Sequence, residues 1–226
     1  MSLGVDPSRF VTDSERPLAI SSLRHYFSGH YTGALFEKLT DREEPNAITA
    51  RDIVAVTALG VRVPVRAADW ILGAGRAEIS DLLSMIPNGV PIWENVRLDL
   101  SSKAWELWTV LDAQYKVGAT ITSKLLAAKR PHLLPIWDQY VVDGVQPKKN
   151  EYWVGWQEAL SGESGAELRA VCEAIRQEAD APDCLSVLRI LDIVIWMRVH
   201  GYDWLDEPAD KAPYLEAKPF WGNVSS

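Results

Sequence analysis

Residues 116–145 read KVGATITSKLLAAKRPHLLPIWDQYVVDGV, and their types and spacing suit chemistry beside an anion. Val117 and Gly118 mark a tight turn. Ala119, Thr120, Thr122 and Ser123 open a helix, a proline-bounded loop covers residues 131–135, and Asp138 begins the next apolar helical run. Backbone N–H groups at such a turn, joined by the unpaired donors of a helix N-terminus, form a neutral site that attracts one phosphate. Gly118 supplies the backbone freedom and close approach this needs, with Lys116 and Lys124 as charges at the rim. A carboxylate placed one helix and one loop later can stabilise positive charge that develops in a substrate.

Asp138 suits two roles. Aspartate is a favoured N-cap, and the same side chain at this distance from a phosphate-holding turn is the candidate catalytic group. Trp137 beside it, and Trp105 and Trp108 on the preceding helix, are candidate walls for a pocket and equally plain core. The chain carries a formal net charge of −8, against the basic footprint of broad nucleic-acid binding. Within residues 116–149, however, six basic side chains (Lys116, Lys124, Lys129, Arg130, Lys148, Lys149) face two acids, Asp138 and Asp143. That segment is expected to form a positive island. Screening over about 8 Å lets such an island dock an anion on an acidic protein.

The elements that must position these residues read as helices throughout. Pro17 with Leu23 and Phe27, the Thr49–Asp52 box ahead of Ile53 and Val56, and runs at 65–72 and 77–85 all fit the helical period. Ser101 or Ser102 caps a helix expected to reach Tyr115. Others are expected at 120–129, 138–145, 151–160, 166–179 and 185–200. The last is apolar on nearly every face and belongs in the middle of the domain. Alternating apolar residues occur only in short pieces. The expected fold is all-α: one compact multi-helix unit of about ten helices that can divide into two lobes. It holds a helix-hairpin-helix at 101–145, a loose N-terminal arm at 1–16, a helical domain at 17–200 and a wrapping tail at 201–226.

The segment 101–145 resembles the helix-hairpin-helix DNA glycosylase superfamily. Members carry a hairpin of the type L-P-G-V-G, a helix, an apolar-proline loop and an aspartate about twenty residues after the second glycine. Here Val117-Gly118 stands for the hairpin's end and Asp138 falls twenty residues after Gly118. The resemblance covers about a fifth of the chain. It implies that Lys116, Val117, Gly118, Thr120 and Lys124 hold a DNA phosphate. It implies that Asp138 helps expel a base from a flipped nucleotide by stabilising charge on the sugar. Bifunctional members carry a lysine two residues after the second glycine. Thr120 stands there, so a monofunctional hydrolase without a lyase step is implied. Lys116 replaces the first hairpin glycine, and the iron–sulfur cysteines of some members are absent.

Other classes find no support. Cys172 and Cys184 build neither a disulfide framework nor a four-ligand metal site. The four histidines lack metal-ligand spacing, and no glycine-rich phosphate loop follows a strand. No cofactor, metal or membrane partner is expected, and a cytoplasmic location is. Asp192 on the apolar helix has Arg189 as its local partner and is a second, weaker catalytic candidate. The alternative to a glycosylase is a non-catalytic helix-hairpin-helix module that binds DNA or a protein.

Overall fold

Four helix starts in this chain are set by side chains that accept the otherwise unpaired first-turn N–H groups. The computed structural model describes residues 2–201, and among these the chain forms eleven α-helices and no strand. They are α1 (Arg16–Phe27), α2 (Ala34–Leu39), α3 (Ala50–Thr57), α4 (Val65–Leu72), α5 (Arg76–Met85) and α6 (Lys103–Asp112). There follow α7 (Gly118–Lys129), α8 (Gln139–Val145), α9 (Tyr152–Leu160), α10 (Gly162–Glu178) and α11 (Val187–His200). Thr49 and Asp52 form the capping box of α3. Ser102 accepts the Trp105 N–H at 3.2 Å, Asp138 that of Tyr140 at 3.2 Å, and Ser186 that of Arg189 at 3.1 Å.

The all-α expectation holds, and the apolar side chains share one core cluster. Two helices run through it. In α11 every residue from Leu188 to Ile195 is buried, as its all-round apolar pattern predicts. The second is α7 with its C-cap Arg130, where residues 121–130 are all buried although they include Thr122, Ser123, Lys124, Lys129 and Arg130. Around these, α8, α1 and α10 pack on α11, while α6 and α3 pack on α7. Gly144 lets α8 lie close against α11, because a Cβ there would sit 2.6 Å from Ile195 Cγ2.

The buried cations of α7 correct the expected positive island. Burying an unpaired charge is prohibitive, and each of these finds oxygen partners inside. Lys129 Nζ lies 2.5 Å from Asp52 Oδ2 and donates to the carbonyls of Asp41 at 2.8 Å and Glu44 at 3.1 Å. Arg130 donates to the carbonyls of Ile86, Pro45, Lys129 and Leu83 and to the Asn46 side chain. Of the six basic residues of that island, only Lys116, Lys148 and Lys149 are exposed.

Two further expectations change. Residues 2–11 are not a loose arm. Gly4 and Val5 N–H groups donate to the carbonyls of Gln146 and Val145 at 2.9 and 3.0 Å, Leu3 packs on Gly155, and Phe10 is buried. The six-residue helix α2 sits where no helix was expected, since it is too short to show a period. The expected tail at 201–226 lies, beyond Gly201, outside the described residues.

Asp52→Ala would leave the Lys129 ammonium buried without its carboxylate. A loss of about 3–5 kcal/mol in urea denaturation is expected. Neighbouring Arg51→Ala, at an exposed side chain, is expected to stay within about 0.5 kcal/mol.

Candidate active-site pocket

The N-cap position of α8 fixes Asp138 in an extended backbone, φ −122° and ψ 142°. One carboxylate oxygen accepts the Tyr140 N–H, and the other lies 3.4 Å from Lys124 Nζ. The ammonium comes from the buried face of α7 and also donates to the Leu59 carbonyl at 2.9 Å. The Ser123 hydroxyl reaches the Trp137 carbonyl at 3.3 Å, tying the end of the loop to the same helix. Asp138 is therefore both a helix cap and a pocket-facing acid, with 18 % of its side chain exposed against 4 % for Lys124.

The pocket it faces holds about 210 Å³, with Tyr26, Tyr31, Trp196, Lys124, Asp138 and Asp192 among its lining residues. That is below the roughly 300–1,000 Å³ of sites for drug-sized ligands, and suits a single planar ring system. Tyr31 meets Trp196 edge to face at 5.5 Å and stacks on Tyr26 at 5.8 Å. Gly33 also lines the pocket, and no side chain fits there: a Cβ would fall 1.6 Å from the Tyr26 hydroxyl.

Charge in the pocket floor is dense. Arg189 donates to Glu37 Oε1 at 2.8 Å, to the Tyr26 hydroxyl at 2.6 Å and to Asp192. Its guanidinium also lies over the Tyr26 and Phe36 rings, at 5.3 and 5.6 Å. Burial works against its charge, but Tyr26, Asp192 and Glu37 outweigh that and strengthen its hold on the proton. Burial pushes the Asp192 carboxyl up to about 6 in spite of Arg189, with Asp138 adding to the effect. Burial also holds the Lys124 amine below the ordinary lysine range, opposed by Asp138 and Asp192. The arrangement sets two carboxylates and one desolvated amine around a ring-sized space, a combination able to move protons and to stabilise a cation.

The residues singled out in the sequence divide between three places. Asp138 and Lys124 come together, but Lys124 is not at the rim of a phosphate site; its ammonium is drawn inward by Leu59 and Asp138. Lys116 and Val117 belong to the 113–117 connection between α6 and α7, Gly118 and Thr120 to the first turn of α7, and none of them lines the pocket. Gly118 has φ +65°, a left-handed backbone with open space around it, and Lys116 shares that region at +56°. Val117 is buried, so its side chain faces the core. Exposed Tyr115 carries Lys116 Nζ at 5.3 Å and the Arg66 guanidinium at 5.7 Å, a small basic spot at the turn.

Trp105, Trp108 and Trp137 are not walls of the Asp138 pocket. They line a separate cavity, and the aromatic walls beside Asp138 are Tyr26, Tyr31 and Trp196. Nothing local in the sequence ties the end of α1 to α11, so the two tyrosines carry no signal there. Asp192 with Arg189 at three residues' spacing is the part of the floor that the sequence does show.

Among the described residues no group of three or more His, Cys, Asp or Glu side chains could hold a metal ion. No helix there is long and apolar enough to cross a membrane. A family profile described as "Family of unknown function (DUF6308)" matches residues 19–199. No curated protein and no solved structure matches the chain.

Asp192 gives the pocket a measurable signature. Its folded-state pKa lies above its unfolded value, so the folded protein holds the extra proton between pH about 4 and 6. Its contribution is largest below that window and is lost as pH rises through it, by at most about 3 kcal/mol. Asp192→Asn is expected to remove that decline. The check is urea denaturation of both proteins at pH 4 and pH 6.5.

Proposed function

The chain belongs to the DUF6308 family, a family of unknown function, and we propose from its pocket alone that it is a monofunctional DNA glycosylase-like protein. The observation that carries this reading is the double role of Asp138. One oxygen is spent on the helix cap, which fixes the carboxylate, the other lies 3.4 Å from Lys124 Nζ, and the residue lines a ring-sized aromatic pocket. A base turned out of its stack would sit among Tyr26, Tyr31 and Trp196, at the cost of unstacking, a few kcal/mol. The bond between base and sugar would break with its electron pair leaving on the base. Positive charge then grows on the sugar, where a fixed carboxylate stabilises the transition state more than the ground state. Water adds its hydroxyl to the sugar carbon, and its proton goes to Asp138 or the departing base. The turn between α6 and α7, with the left-handed Gly118 and the Lys116–Arg66 spot, supports the idea of a phosphate held nearby.

The same contacts favour a second reading. Asp138 is already satisfied by Tyr140 and Lys124 without any ligand. A helical module that keeps the turn for DNA or a partner protein, without catalysis, fits that equally simple arrangement.

Duplexes carrying uracil, alkylated or oxidised bases separate the two. A glycosylase releases a base from at least one, with strand breaks only after alkali, and Asp138→Asn lowers the rate by about 100-fold or more. Lys124 brings an amine to Asp138, so borohydride trapping is the sharp test of the monofunctional assignment: no covalent adduct is expected. DNA binding that survives Asp138→Asn, with every duplex left intact, supports the module. No DNA binding at low salt sinks the glycosylase and the DNA-binding module alike, leaving only a module for a protein partner.

A further inference from the structure

The tryptophans that miss the Asp138 pocket build a second one. Trp105 and Trp108, one turn apart on α6, hold their rings parallel to within 2° at 5.7 Å. Trp153 of α9 stands across both, at 5.4 and 5.5 Å and near-perpendicular angles. Trp137 meets Tyr152 at 4.8 Å. These five rings, with Leu98, Ala119 and Asn150, enclose about 140 Å³. Trp105, Trp108 and Trp137 remain partly exposed, although burial would be favourable for rings of this size.

The setting of this cavity says what it would take. Its lining contains no acid and no base, and Asn150 is the one polar amide side chain in it. That composition suits a neutral planar ring with edge polar groups better than a cation, which aromatic cages attract best when negative charge is near. Ala119, in the first turn of α7 directly after Gly118, forms part of the wall, so the cavity borders the start of α7. The exposed lysines 148 and 149 directly precede Asn150, and exposed Lys116 lies three residues before Ala119. A ring-sized aromatic slot whose lining residues Ala119 and Asn150 lie within three residues of exposed lysines matches a nucleotide: the base for the rings, the phosphates for the lysines. Trp137 and Asp138 are consecutive, so the two pockets lie on either side of one peptide link.

We propose that this tryptophan cavity stacks a second unpaired base of a single-stranded or locally opened DNA strand, next to the base held by the Asp138 pocket. The proposal rests on the reading of the protein as a DNA-binding one. Stacking on aromatic side chains tolerates any base, so the cavity favours opened DNA over paired DNA without choosing a sequence.

The test uses the full chain with a short oligothymidylate, a matched duplex and a duplex with a two-base bulge. Tryptophan fluorescence is expected to be quenched by the oligothymidylate and the bulged duplex and only weakly by the matched duplex. Trp105→Ala with Trp108→Ala is expected to weaken oligothymidylate binding roughly 10- to 100-fold. Trp105→Phe with Trp108→Phe, which keeps flat rings and the helix surface, is expected to restore most of it. Equal affinity of wild type and the alanine variant for the oligothymidylate overturns the proposal. So does quenching by tetramethylammonium but not by the oligothymidylate, which would make the cavity a cation cage. If matched-duplex binding or base release persists in those cases, the cavity assignment alone has failed. If no DNA binds at low salt, the DNA reading has failed with it.

Discussion

Three cations buried along one helix set the terms for the rest of the molecule. Lys124, Lys129 and Arg130 of the α7 segment lie inside the protein, where a charge without partners is untenable. Each gathers oxygens from a different part of the chain. Lys124 takes the carbonyl at the end of α3 and the carboxylate that starts α8. Lys129 takes Asp52 and the 41–44 backbone. Arg130 takes the end of α5 and the Pro45–Asn46 turn. Removing one partner is costly because the other stays buried. The connections between helices are thereby tied to the centre as firmly as the helices are.

The pocket is a product of that arrangement. Asp138 could cap α8 on any surface; it faces a pocket because the Lys124 ammonium and the loop held by Ser123 set it beside α11. Close approach at Gly144 brings Asp192 and Trp196 of α11 toward it, and Gly33 leaves room for the Tyr26 hydroxyl that Arg189 holds. Chemistry in such a place is governed by desolvation. The same burial that raises the Asp192 carboxyl lowers the Lys124 amine, so both move toward neutral forms and proton exchange between pocket and ligand becomes easier.

What the sequence revealed and what it hid follow a physical line. Local interactions were legible. The Thr49–Asp52 box, the Ser102 and Asp138 caps and the run at 65–72 depend on neighbours a few residues away. The apolar surround of α11 and the turn at Gly118 also belong to this class. What was hidden depends on distant partners. Lys129 and Arg130 read as surface charge because lysine and arginine are mostly exposed, and their interior acceptors are backbone carbonyls that any residue supplies. The tryptophans gave away their burial but not their grouping. One peptide link separates Trp137 from Asp138, yet it sends their side chains into different cavities.

The inward turn of those cations has a kinetic consequence. From beyond a Debye length the molecule presents itself as an anion, with a formal charge of −8. Another polyanion approaching it is repelled before it can feel the small positive spot around Tyr115. Added salt then does two opposite things: it eases the encounter by screening the far field and loosens the contact by screening the near one. Association should quicken with modest salt while the lifetime of the complex shortens, the reverse of electrostatic steering on the inbound leg.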